Sequence, residues 1–134
     1  MSKKLEYLFL FAVSLFIAHG FEEYWTGFYA IDSQVRFIFG FLESSASLQT
    51  IFLVFQITLW ILLVAAYFVI KRGWWLRPIL ILMGFIFIYE LHHLYKAIAV
   101  GGYYPGLLTA LVFPVLGFFY WLELLSLFAR DERR

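Results

Sequence analysis

A chain of 134 residues suffices for one domain, and its make-up (64% hydrophobic, 23% aromatic, 14% charged, mean hydropathy +0.87) lies far from the roughly 45–50% apolar and 25% charged of soluble domains. So much apolar surface exceeds what a water-soluble core can hide, so the expected solvent is a lipid bilayer. The lack of cysteine excludes disulfides, thiolate metal sites and cysteine nucleophiles, and a net charge of +1 with no basic patch excludes a nucleic-acid partner.

Four apolar stretches approach the roughly 20 helical residues that cross about 30 Å of hydrocarbon. They run from Leu5 to Trp25, Leu48 to Ile70, Ile79 to Val100 and Leu107 to Phe128. The first continues into His19, Glu22 and Glu23 without a small-x-small cleavage site, which argues against a signal peptide. Residues 26–47 are unusually apolar for a loop. Asp32 suits the N-cap of a short interfacial helix there, the alternative being an extension of the second span. Pro78 fits the first turn of the third span, and Pro114 predicts a kink in the fourth.

Orientation follows from the cations. Lys3, Lys4, Lys71, Arg72, Arg77, Arg130, Arg133 and Arg134 fall on one side, against Arg36 and Lys96 on the other. The positive-inside rule then places both termini in the cytoplasm. Trp74 and Trp75 at one face, and Tyr24 and Trp25 at the other, read as interfacial anchors, and Lys96 as a snorkelling cation. The expected architecture is all-α: a single domain over residues 1–134, an up-down membrane bundle of four helices. The expected location is a bacterial plasma membrane.

Ionisable groups inside membrane helices are costly and point to function. Here they fall in two groups: His19, Glu22 and Glu23 close the first span, while Glu90, His92, His93 and Lys96 occupy the outer half of the third. At about 100° per residue, His19, Glu22 and Glu23 share a face. Glu90 and His93 also share one, with His92 nearly opposite to Glu90. His19 and His93 each follow the inner start of their helix by 14 residues, roughly 21 Å of rise, so the two imidazoles are expected at one depth. Gln56 falls at a similar height and Glu123 near the inner end.

His19-Gly20-Phe21-Glu22-Glu23 reads HxxEE, and Tyr103-Tyr104-Pro105-Gly106 reads YxPG. With a histidine between them, the chain resembles the HXXEE-domain family of small membrane proteins. The resemblance spans His19 to Gly106 and implies a shared polar site but no reaction. The family histidine matches His93 best, with His92 as the alternative.

Two imidazoles and a carboxylate suit a single zinc, iron or manganese ion. His19, Glu23 and His93 are the expected ligands, and Glu22, Glu23, Glu90 and Tyr103 the expected catalytic groups. Glu90-x-x-His93 also has di-iron spacing, although the second and fourth spans offer too few carboxylates for a second ion. The expectation is a small membrane metalloenzyme with its site near the outer face, acting on a lipophilic or interfacial substrate. Two alternatives stand beside it. One is a metal-free acid–base enzyme on a sterol- or quinone-like molecule. The other is a non-enzymatic carrier or complex subunit, working as a homo-oligomer or within a larger assembly. A purely structural role, in which the same side chains fix helix register, is the remaining reading.

Overall fold

The computed structural model describes residues 2–73 and 76–131; Trp74, Trp75, Arg133 and Arg134, assigned above as anchors and inner cations, lie outside the described residues. All regular structure among the described residues is helical. The first span is α1 (Lys3–Thr26), started by the Ser2 hydroxyl, which accepts from the Leu5 N–H. It ends at Gly27 with φ +78°, a left-handed turn that glycine adopts without a Cβ penalty.

Two short helices follow, α2 (Phe28–Ile31) and α3 (Ser33–Phe39), and then a 3-10 turn over Gly40–Leu42. Asp32 Oδ1 caps α3, accepting from the N–H of Gln34 at 2.7 Å and of Val35 at 3.2 Å. Of the two alternatives for residues 26–47, the separate short helix is the one adopted. The second span, α4 (Leu48–Lys71), begins afresh under its own Ser47 cap.

The third span is not the uninterrupted helix expected over 79–100. It divides into α5 (Leu76–Tyr89) and α6 (Leu91–Val100), with Glu90 between them. The His93 N–H reaches back only three residues, to Glu90 O at 3.3 Å. A turn of that kind advances about 120° per residue instead of about 100°, so face assignments carried through Glu90 lose their phase. The fourth span also breaks, into α7 (Leu107–Ala110) and α8 (Phe113–Asp131). That break stands just ahead of Pro114, which has no N–H to offer the turn before it, as expected.

The spans run up and down. Lys4 Nζ lies 2.6 Å from Glu123 Oε1, and Lys71 Nζ lies 2.6 Å from Glu6 Oε1, which tie the start of α1 to the ends of α8 and α4. Helix α1 packs between α4 and α8, while α5 packs on α8 and α4. Phe9, Phe16, Phe87, Phe113, Tyr120 and Leu124 form the buried centre. Helices α5 and α8 approach closely where Trp121 Nε1 donates to Gly84 O at 3.1 Å; a Cβ on Gly84 would stand 2.6 Å from the indole ring. Small residues permit such contact between membrane helices.

The outward faces are apolar too. Phe11, Ile61, Phe68, Phe85, Phe118 and Leu125 are each more than half exposed, a surface that favours lipid over water. All four spans are long and apolar enough to cross a membrane. The fold is an all-helical bundle whose four long apolar helices suggest a multi-pass membrane protein.

Candidate metal centre

The His and Glu groups of α1 and the third span meet in the interior. His19 Nε2 and His93 Nε2 face each other at 3.1 Å, their rings nearly perpendicular. Glu90 Oε2 lies 3.1 Å from the first and 3.4 Å from the second. Glu23 Oε1 approaches the same two nitrogens at 3.7 and 3.3 Å. All four residues are buried.

Which nitrogens carry protons follows from the partners on the far side of each ring. His93 Nδ1 is 2.7 Å from Pro105 O, a carbonyl that only accepts, so Nδ1–H is the donor. His19 Nδ1 is 2.7 Å from Thr109 Oγ1. That hydroxyl points its own proton at Glu22 Oε2 (2.6 Å) or Gly106 O (3.3 Å), and must therefore accept from His19. In the neutral imidazoles both Nε2 atoms are bare lone pairs. Both then face the Glu90 carboxylate, and Glu23 Oε1 stands beside the same two nitrogens.

Such a cluster could hold a metal ion or share a proton, and each has its own characteristic spacing. Charge-assisted N–H···O contacts run at about 2.7–2.9 Å, shorter than every imidazole–carboxylate distance here. Ligands held about 2.0–2.1 Å from a tetrahedral zinc stand about 3.3–3.4 Å from one another. The observed 3.1–3.7 Å brackets that value. His19, Glu90 and His93 make the tightest set, with donor atoms that can share one ion.

The surrounding contacts hold the donors in place. Glu23 accepts from Gln56 Nε2 at 2.6 Å through its other oxygen. Gly20 makes that possible, because a Cβ there would stand 2.6 Å from Gln56 Oε1. Glu22 turns away from the imidazoles toward the start of α7. It accepts from the N–H groups of Leu108 (2.9 Å) and Thr109 (2.8 Å), the Thr109 hydroxyl, and the Tyr103 hydroxyl (2.8 Å). Tyr103 therefore meets the site through Glu22 and not directly. Tyr104 donates to Asp32 Oδ2 at 2.6 Å, and Lys96 Nζ lies 3.6 Å from the same oxygen. Lys96 thus pairs with a buried carboxylate, where a snorkelling cation would have reached for headgroups.

Three of the four residues of the Tyr103–Gly106 turn bear on the centre, Tyr103 through Glu22. Pro105 supplies the carbonyl that orients His93. Gly106 adopts φ +86°, and a Cβ on it would lie 2.7 Å from His93 Cε1 and 2.8 Å from His19 Cε1. His92 is not part of the His19–Glu90–His93 set; it lines a cavity that also touches His19, Glu23 and Glu90.

Two participants escaped the sequence reading. Thr109 carried no signal beyond its place one turn into a span at the depth of His19. The Asp32–Tyr104 bond joins residues 72 apart, and local pattern does not register such pairs.

Residues 10–121 match the family described as "Protein of unknown function with HXXEE motif". The chain belongs to the HXXEE family. No curated protein and no solved structure is significantly similar to it. Within the HXXEE motif of this chain, then, His19 faces the imidazole of the third span, Glu22 clamps the turn before the fourth, and Glu23 returns to the His pair. The three polar letters perform three different tasks.

Proposed function

We propose that this HXXEE protein is a small membrane metalloenzyme, with one zinc ion held by His19, His93 and Glu90. One observation supports this above others: the two imidazole nitrogens and the Glu90 carboxylate oxygen lie 3.1–3.4 Å from one another, within reach of a single ion. Three protein ligands leave one position open, as catalytic zinc requires. Glu23 stands beside that position, its geometry set by Gln56, and serves as the general base. Zinc would supply Lewis acidity there. His19 and His93 are kept in the ligating tautomer by Thr109–Glu22 and by Pro105 O, the outer contacts that commonly tune such ligands.

The substrate is lipophilic or interfacial, because the cavity beside the centre is walled mainly by apolar side chains. The cation partition orients the bundle with both ends inside and the centre toward the outer face. Metal-free acid–base chemistry is the second reading, favoured by His19 Nε2 lying 3.1 Å from both His93 Nε2 and Glu90 Oε2, within hydrogen-bond reach.

Elemental analysis of protein purified without chelators tests the reading. One equivalent of zinc per chain is expected; iron or manganese, which the same donors can hold, would change the ion and leave the centre in place. His19→Ala, His93→Ala and Glu90→Gln should each remove most of the metal. Cobalt substitution gives a second readout, through the absorption bands of a four-coordinate ion. Wild-type protein that carries none of these metals and takes up none would end the proposal.

A further inference from the structure

The cavity beside the centre has a volume of about 270 Å³ and lies between α1, α4 and the third span, beneath α3. Its walls are largely aromatic and aliphatic, including Phe28, Phe52, Leu59 and Ile86. Three lining residues, Ile38, Phe55 and Tyr89, are also well exposed on the outer surface of the bundle. The cavity thus communicates with the zone that lipid would occupy. It opens there because α4 packs on the inner half of the third span, α5, whereas the outer half, α6, packs on α7.

Most polar groups on its wall are already engaged. Asp32 holds α3 and Tyr104, Gln34 Oε1 accepts from Tyr89, and Gln56 Nε2 donates to Glu23. His92 differs. Its Nδ1 lies 3.0 Å from Tyr89 O and so carries the proton. Its Nε2 is then an acceptor, buried, and without a partner among the described residues. Buried polar atoms nearly always find partners, so an exception on a cavity wall marks a place where a ligand supplies one. The His92 ring centroid is only 3.9 Å from that of His93.

We infer that the cavity binds a long-chain lipophilic alcohol, whose hydroxyl donates to His92 Nε2 while its chain runs out between α4 and the third span. The volume falls just under the roughly 300–1,000 Å³ of sites that enclose a whole ligand. It therefore takes the head of an elongated molecule and leaves the tail in the bilayer. The choice of a hydroxyl rests on the metal centre proposed above. A hydroxyl offers a proton to His92 and lone pairs to the cationic side, whereas an ammonium would be repelled there.

The test uses the full chain in nanodiscs with a photoactivatable, clickable farnesol and its methyl ether. Wild type should take the alcohol about fivefold more tightly than the ether, the worth of one neutral hydrogen bond. His92→Phe should abolish that preference, leaving ether labelling and bound metal unchanged. Leu59→Trp, which fills the cavity, should remove both labels and spare the metal. Equal labelling by alcohol and ether in wild type would overturn the inference, as would a preference that survives His92→Phe. Metal with no alcohol preference would sink this inference alone. An alcohol preference without metal would sink the zinc reading and leave the hydroxyl site standing.

Discussion

Gly106 shows how much one residue can decide. Its φ of +86° favours glycine, and the space a Cβ needs is filled by the imidazoles of His19 and His93. Gly106→Ala should therefore cost about 1–3 kcal/mol in stability and displace the histidines as well. Lower melting temperature together with lost metal is the expected result. Unchanged metal content would show that the imidazoles move aside freely. Thr109 allows a finer test. Thr109→Val removes the acceptor of His19 Nδ1–H and should weaken metal binding about 10–100-fold, whereas Thr109→Ser should restore it. Equal affinity in the two variants would remove Thr109 from the ligand-orienting network. Asp32 adds a pH dependence. Burial works to raise its carboxyl, but the Tyr104 hydroxyl, two α3 N–H groups and Lys96 outweigh burial and hold it below its ordinary 3.8. A carboxyl depressed in the folded state stabilises fully above its unfolded value, and that contribution disappears as pH falls through the folded one. Asp32→Asn should thus lower stability at pH 6 and flatten the acid-denaturation limb below about pH 4. An acid limb as steep as wild type would show that other groups govern it.

At the scale of elements, the breaks matter more than the helices. The turn at Glu90 brings Glu90 and His93 onto the same target while sending His92 to the cavity wall. Period alone could show that Glu90 and His93 share a face; it could not show the cavity that His92 lines. The break before Pro114 was legible, since proline removes a donor wherever it stands. Between the third and fourth spans, packing is set by Gly84 against Trp121 and Gly117 against Phe87. Gly84→Ala should overpack this seam and cost about 1–3 kcal/mol. Gly102→Ala, where an added Cβ meets nothing within 4 Å, is the matched control and should be near neutral. Equal melting temperatures for the two variants would show that the seam yields at little cost.

For the whole molecule, charge sets the expectation for which way the bundle faces. The ion pairs Lys4–Glu123 and Glu6–Lys71 gather one end of α1, α4 and α8. The cations of that end should keep it in the cytoplasm. The chain contains no cysteine, so single-cysteine variants report cleanly. In intact cells a membrane-impermeant maleimide should label Gly102→Cys and spare Arg72→Cys; the reverse pattern would invert the bundle. The sequence by itself determined the four spans, their approximate limits, the family and the common depth of His19 and His93. Length, hydropathy and rise per residue are properties of consecutive residues, and they survive whatever the tertiary packing does. Tertiary structure alone decided that Glu90 makes the tightest donor set with the two histidines, that Glu22 clamps the α7 turn, and that His92 faces a cavity. Each of these depends on a helix break or on partners dozens of residues away, and helical period has no term for either.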